Sequence, residues 1–133
     1  MQSYAHGQVS SLLRKLAFCM NEAAKLRDAD SIHDLRVAIR RFQQSLKIFR
    51  QFLSNGYRKK IRRRLRKIME LSGEIRNRDI AVDLMKQAGL PARSALSVRL
   101  LRERKEFERE LLALLDRWGE CNLSDKWGSR LGL

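Results

Sequence analysis

The sequence predicts an all-α protein, an antiparallel helical bundle of about five helices. Apolar residues recur three or four positions apart in almost every segment, and no segment shows the strict alternation of a half-buried strand. Several glycines and the single proline fall between these periodic segments, and the short connections they mark make consecutive helices antiparallel neighbours. At 133 residues, 44% of them hydrophobic, the chain is long enough for one domain with its own core.

The first two helices are predicted with a tight break between them. The first spans about Gln8 to Arg27, with its apolar residues on one face, and residues 28–30 interrupt the pattern. Ser31 is placed to cap the second helix. Asp34, three positions later, imitates the carboxylate of a capping box and favours the positive end of the helix dipole.

Two further breaks divide the next part of the chain. The Asn-Gly pair at 55–56 precedes a third helix, predicted over about Tyr57 to Leu71. The Ser-Gly pair at 72–73 is predicted to separate it from a short fourth helix, about Arg78 to Ala88.

The fifth helix follows Gly89 and Pro91, which end the fourth. It is predicted to begin near Ser94, to bury Leu96 among other apolar residues, and to continue to Trp118. The bundle is therefore predicted over residues 1–118. Residues 119–133 contain three glycines and no clear period, so they form a tail without an assigned structure.

The positive charge of the chain is concentrated in one block. Between Arg36 and Lys67 there are thirteen Arg or Lys residues and no Asp or Glu, whereas the rest of the chain has sixteen basic and fifteen acidic residues. The formal net charge of +14 is therefore almost entirely local. A local excess of this kind indicates a polyanionic partner.

Helical periodicity collects the cations of the block into two stripes. At about 100° per residue, the second helix places four residues within roughly 60° of one another, with a fifth on their flank, opposite its apolar face. These are His33, Arg36, Arg40 and Lys47, with Arg41 on the flank. The third helix groups Lys59, Arg62, Arg63 and Arg66 in the same way. We expect the two helices to turn these stripes toward one shared basic groove.

The composition of the stripes favours a bound phosphate over a merely solvated surface. Arg36 and Arg40, and likewise Lys59 and Arg63, are like-charge pairs four residues apart, and each costs a few tenths of a kcal/mol without a counter-charge. Arginine dominates, and its planar guanidinium binds phosphate oxygens in bidentate fashion. Phe42, Phe49 and Tyr57, which could otherwise stack on bases, point toward the core side, and only Phe52 is ambiguous. The pattern suits a ligand that is phosphate and little else. Backbone contacts with duplex DNA or structured RNA remain the alternative.

Two motifs stand at the starts of the predicted second and fourth helices. The first is Ile32-His33-Asp34-Leu35-Arg36-Val37-Ala38-Ile39-Arg40-Arg41, followed by Lys47. The second is Ser72-Gly73-Glu74-Ile75-Arg76-Asn77-Arg78-Asp79-Ile80. The first resembles the signature of the CHAD family, the conserved histidine α-helical domains, and the second is similar to the Gly-x-x-Arg-Asp-x-Asp-Val segment of that family. The resemblance covers about Gln8 to Trp118.

The resemblance implies a helical bundle that binds inorganic polyphosphate through basic residues of its signature helices. It implies phosphate contacts by His33, Arg36, Arg40, Arg41 and Lys47, with Arg63, Arg66 and Arg76 as additions. Two departures stand out. Asn77 replaces an Asp of the family pattern, and the chain holds one four-helix half plus a further helix where family members commonly hold two halves. The resemblance thus implies either a short form that completes its cavity by self-association or part of a longer protein.

No catalytic constellation is visible, and we expect neither an enzyme nor a bound cofactor or metal. Glu106, Glu108 and Glu110 alternate along a predicted helix, so their carboxylates point in different directions. Cys19 and Cys121 stand in no metal or redox spacing and are expected to be free thiols.

With no membrane-length apolar run, the sequence predicts a cytoplasmic protein without membrane contact. A protein-interaction module for an acidic partner is the remaining alternative. Arg76 and Asp79, three residues apart, are expected either to pair with each other or to leave Arg76 for the ligand.

Overall fold

Five α-helices and one 3-10 turn make up the fold. A computed structural model describes residues 1–119 and 123–133, and no strand occurs in these two ranges. The helices are α1 (Gln2–Leu26), α2 (Ala29–Ile48), α3 (Arg58–Gln87), α4 (Ala95–Gly119) and α5 (Leu123–Arg130), and the 3-10 turn is Arg50–Phe52. The predicted all-α bundle of about five helices is confirmed. No helix in the described ranges is long and apolar enough to cross a membrane.

The core lies between two helical hairpins. α1 packs along α2 and α3 packs along α4, while α2–α3 and α1–α4 contacts join the two pairs. The predicted inner face of α2 is confirmed, because Leu35, Ile39, Phe42 and Leu46 are all buried. The apolar residues of the first half of α3, such as Ile61, are buried against them. Burial of these one-sided faces leaves the opposite faces of α2 and α3 to solvent.

The start of α1 differs from the prediction, whereas its end agrees. The helix begins at Gln2, six residues earlier than expected, because Ala5 is fully buried against the bundle and draws the first turns into the fold. His6, in the same turns, donates from Nε2 to the carbonyl oxygen of Phe52 at 2.7 Å and so ties α1 to the 3-10 turn. At the other end, Arg27 adopts left-handed backbone angles, with φ of 58°, and ends the helix.

Asp28, not Ser31, caps α2. Its backbone is extended, and its Oδ1 accepts a hydrogen bond from the Ser31 N–H at 2.8 Å. The Ser31 hydroxyl donates back to the Asp28 carbonyl oxygen at 3.1 Å. Ser31 is therefore inside the first turn, where it is buried. The break is tighter than the sequence indicated because the left-handed Arg27 reverses the chain within two residues.

The predicted break at 72–73 is wrong, since α3 is one continuous helix of 30 residues. Ser72 and Ile75 are fully buried on its inner face, so tertiary packing holds the helix together across the Ser-Gly pair. A glycine inside a helix costs about 0.5–1 kcal/mol relative to alanine, which is small beside the burial on either side of it. The predicted third and fourth helices are therefore two halves of α3.

Part of the unassigned tail forms α5, which packs on α1 and completes the core. Trp127 is fully buried, with its ring 6.2 Å from Phe42 and 5.6 Å from Trp118 between centroids. The Leu131 carbonyl oxygen accepts a hydrogen bond from the Ser54 N–H at 3.0 Å, which fastens the end of the chain to the α2–α3 connection.

Ion pairs hold the α3–α4 hairpin together. Arg104 pairs with Asp79 at 2.6 Å and with Glu108 at 2.9 Å, and it donates to the Arg27 carbonyl oxygen at 3.1 Å. Arg78 bridges Glu74 and Glu103 one turn away. These contacts place the α1–α2 turn beside the middle of the hairpin.

The tip of the hairpin extends past the α1–α2 turn. The expectation that Leu96 is buried is therefore wrong: it is 51% exposed because neither α1 nor α2 reaches it.

Cys19 is a buried free thiol, and burial raises its pKa above the ordinary value. Cys121 lies outside the described residues.

Trp127→Ala is expected to lower the free energy of unfolding by about 3–5 kcal/mol, since it removes the largest fully buried side chain. Urea unfolding followed by circular dichroism measures this. Lys126→Ala, at the exposed neighbouring position, is the matched control and should change little. An equally small effect of Trp127→Ala would show that α5 is not part of the cooperative core.

Asp28 is expected to make stability depend on acid pH. The hydrogen bonds of Ser31 hold the pKa of the Asp28 carboxyl below its usual value of 3.8. The ionised cap therefore stabilises the fold above that value, and its contribution disappears as the pH falls through the lowered pKa. Asp28→Asn keeps a capping oxygen but cannot ionise. The difference in unfolding free energy between the wild type and this variant should shrink between pH 6 and about pH 2; a constant difference would contradict the assignment of the cap.

Candidate phosphate-binding groove

A groove of about 640 Å³ lies between α2 and α3, on the side away from the core. Its floor is formed by Leu46 and Met69. Polar and basic side chains form the walls: Arg40, Gln43, Gln44, Lys47, Arg50, Arg58, Arg62 and Arg66. None of the described residues that line it is aromatic.

The wall on α3 follows from helical spacing. Arg58, Arg62 and Arg66 are four residues apart, so they project in a row from the same side of the helix. Ile61 and Leu65, which alternate with them, are fully buried and fix the rotation of the helix. The facing wall on α2 is set in the same way by its buried apolar stripe. The cations are thus held toward one another by packing on the opposite faces of their helices.

The cations of the basic block have no carboxylate partners in the described ranges. The ion pairs found there involve Arg78, Arg99 and Arg104, all beyond the block on α3 and α4. No ion pair in the described ranges therefore offsets the repulsion among the thirteen cations between Arg36 and Lys67. Such a surface has a strong capacity to attract an anion.

Arg36 is half-buried between α2 and α3. Its Nη1 donates to the Met69 carbonyl oxygen at 2.7 Å and to the Ser72 hydroxyl at 3.0 Å. Burial, together with the neighbouring charges of Arg40 and Arg76, lowers the pKa of the Arg36 guanidinium. The side chain therefore has a structural anchor among neutral acceptors, and its charge adds to that of its neighbours.

Gly73 explains why the second motif contains a glycine. A Cβ atom at this position would lie 3.0 Å from Arg36 Nη1, closer than ordinary van der Waals contact. The glycine is therefore a packing site for the guanidinium, not a helix break. The second motif shows the glycine, but sequence alone does not reveal that it makes room for the Arg36 side chain.

The structure brings four of the ten predicted site residues into the groove wall: Arg40, Lys47, Arg62 and Arg66. His33 and Arg36 lie on the same face of α2 as Arg40 and Lys47, but closer to the N-terminus of the helix and outside the groove wall. Arg76 is close enough to Arg36 to affect its pKa, and it lines a separate cleft of about 590 Å³.

Three predicted residues lie apart from the groove. Arg41 is exposed and about 100° around α2 from Arg40, on the opposite flank. Lys59 and Arg63 are exposed and are turned by a similar angle from Arg58 and Arg62. None of the three lines the groove.

Sequence reasoning missed the two arginines at the end of the groove. Arg50 belongs to the 3-10 turn, outside the helical period, so no pattern could place it. Arg58 could have been found, because it stands four residues before Arg62 on the same face. Its Nη1 is buried and has no hydrogen-bond partner.

Asp79 resolves the question about Arg76. Asp79 binds Arg104 from α4 and forms no ion pair with Arg76, so of the two alternatives the Arg76–Asp79 pair is the one that the structure does not show. Arg76 makes no ion pair within the described residues, and Asn77 is exposed beside it.

The CHAD domain family matches residues 8–132. The chain belongs to the CHAD family. The match includes both motifs and extends through α5, so the helix that the sequence left unassigned lies within the family's range. CHAD domains are known in polyphosphate-related proteins. No curated protein and no solved structure matches this chain.

Gly73→Ala is expected to be coupled to Arg36. Alanine in a helix gains about 0.5–1 kcal/mol over glycine, and we expect Gly7→Ala, with open space around its Cβ, to show that gain. Gly73→Ala should gain less, because its methyl group displaces the guanidinium from Met69. In an Arg36→Ala background the full gain should return. Unfolding free energies of the four proteins form the double-mutant cycle, and additivity would show that Gly73 and Arg36 do not interact.

Proposed function

We propose that this CHAD domain binds inorganic polyphosphate, without catalysing a reaction, in the groove between α2 and α3. One observation supports the proposal above the others: six cations line a single groove and no carboxylate pairs with them in the described ranges. These are Arg40, Lys47, Arg50, Arg58, Arg62 and Arg66. A polyphosphate chain, with a negative charge on every phosphate, offers each of them a counter-charge.

The other groups of the groove suit the same ligand. Gln43 and Gln44 can donate amide hydrogen bonds to phosphate oxygens between the cations. Arginine forms short, charge-assisted and often bidentate bonds with phosphate. Affinity would come from many such bonds and from the counterions that binding releases.

The absence of aromatic residues from the groove wall argues against single-stranded nucleic acids, which usually stack bases on such rings. Duplex DNA or structured RNA would need only backbone contacts, so these are the competitors that a test must include. An acidic protein partner would meet the same charges but would lack the geometry of repeated tetrahedral phosphates.

Arg40→Ala combined with Arg62→Ala is expected to weaken polyphosphate binding about 100-fold or more. Each substitution removes a charge-assisted hydrogen bond to phosphate that contributes about 1.5–3 kcal/mol to the binding free energy. The slope of log affinity against log salt should fall by roughly one for each cation. Isothermal titration at several salt concentrations measures both quantities, with RNA and duplex DNA as competitors at matched phosphate concentration.

The control is Arg14→Ala combined with Arg109→Ala, which removes the same charge from exposed positions on α1 and α4. It should retain most of the affinity, and both double variants should unfold like the wild type. An equal loss of polyphosphate affinity in the two double variants would show that net charge, and not the groove, determines binding. Equal competition by nucleic acids would overturn the assignment of polyphosphate.

A further inference from the structure

The two ends of the groove differ. Along α2 the wall from Arg40 to Lys47 is on the order of 10 Å long, at about 1.5 Å for each residue, and Arg50 in the 3-10 turn extends it. At the Arg50 end the backbone itself crosses from α2 to α3 through residues 49–57, and Arg58 begins α3 there. At the Arg40 end only a side chain crosses: Arg36 reaches from α2 to the Met69 carbonyl oxygen of α3. The groove is thus bounded by the backbone connection at one end and by the Arg36 side chain at the other.

The bounded end is held in place from two sides. The carbonyl oxygen of Phe52 accepts a hydrogen bond from His6 on α1, and the N–H of Ser54 donates to Leu131 beyond α5. Leu53, between them, is buried in the core. Arg50, at the start of this anchored segment, therefore projects from a fixed backbone.

Arg58 has unused binding capacity at this end. Its Nη1 is buried without a hydrogen-bond partner, which is costly for a donor, and the rest of its side chain lines the groove. The surroundings add positive potential: α3 begins without a side-chain cap, and its first turn carries Arg58, Lys59 and Lys60 but no acidic residue. Cations at the positive end of a helix dipole repel it, so this turn favours a compact anion of high charge.

We infer that the Arg50–Arg58 end of the groove binds the terminal phosphate of a linear polyphosphate chain. The inference rests on the proposed function and specifies which part of the ligand occupies which part of the site. A terminal phosphate has three oxygens free of bridging bonds, where an interior one has two, and it can lose a second proton with a pKa of about 6, as in phosphate monoesters. Two guanidiniums match this extra oxygen and charge. The rest of the chain lies along Arg62, Lys47 and Arg40 and turns out to solvent before it reaches Arg36.

End binding changes the stoichiometry. A protein that recognises ends binds at most two copies to each linear chain, whatever the chain length. A protein that binds interior phosphates binds more copies as the chain grows. The number of proteins on each chain therefore separates the two modes without any variant.

The experiment compares the protein with linear polyphosphates of two defined lengths, one about three times as long as the groove and one many times longer still. Light scattering gives the mass of the complexes at saturation, and isothermal titration gives the affinity for each chain. Linear hexaphosphate and cyclic hexametaphosphate, which has interior phosphates but no end, are compared in parallel. We expect two proteins on each linear chain at both lengths. We also expect affinity for the linear compound to be at least tenfold above that for the ring.

Arg58→Ala identifies the residue. The variant should bind linear hexaphosphate about tenfold more weakly than the wild type does. Its affinity for cyclic hexametaphosphate should change by less than threefold, so that the two affinities become similar. Lys67→Ala, an exposed cation of the same block outside the groove, is the control and should change both affinities equally and slightly. Unfolding curves confirm that the variants fold.

The outcomes are distinct from those of the proposed function. Tight binding with a protein number that grows with chain length, or equal affinity for ring and linear chain, would overturn end recognition and leave polyphosphate binding intact. Failure of the wild type to bind any polyphosphate would overturn both. An Arg58→Ala effect that is the same for ring and linear chain would likewise overturn the assignment of the end.

Discussion

Two helices that repel each other along one side are held together by their apolar packing on the other. α2 and α3 present their basic faces to the groove, yet their buried faces, with Phe42 and Ile61 among the fully buried residues, keep them adjacent. Arg36 reinforces the contact by bonding to the backbone of α3 next to Gly73. The repulsion is thus built into the folded state and persists without a bound anion. An anion bound in the groove would relieve this repulsion and so stabilise the folded state, which is the linkage that the proposed function implies.

Four acidic residues of the hairpin pair with arginines outside the basic block and not with the cations of the groove. Asp79 and Glu108 bind Arg104, while Glu74 and Glu103 bind Arg78, so the second half of α3 is locked to α4 by balanced ion pairs. The same helix therefore has a neutralised half and an uncompensated half. The division matches the two parts that the sequence had assigned to separate helices, although the backbone is continuous.

The fold class, the buried faces and the central cations of the groove could be predicted, because each depends on periodicity within one helix. Contacts between helices could not. The role of Gly73 depends on the guanidinium of a different helix, and the partner of Asp79 comes from α4, 25 residues away. Arg50 belongs to a 3-10 turn whose placement depends on His6 and Leu131 at opposite ends of the chain. Local patterns also assigned Lys59 and Arg63 to the groove, because a stripe on one helix does not reveal how far the neighbouring helix reaches around it.

The central claim is that an anion occupies the groove between α2 and α3. Nuclear magnetic resonance of the arginine Nε–Hε groups during titration with polyphosphate tests it most directly, because each guanidinium reports its own contacts. The account predicts large shifts for Arg40, Arg58 and Arg62, and small ones for Arg78 and Arg99, whose guanidiniums already bind carboxylates. Shifts spread evenly over all arginines, or confined to α4, would contradict it.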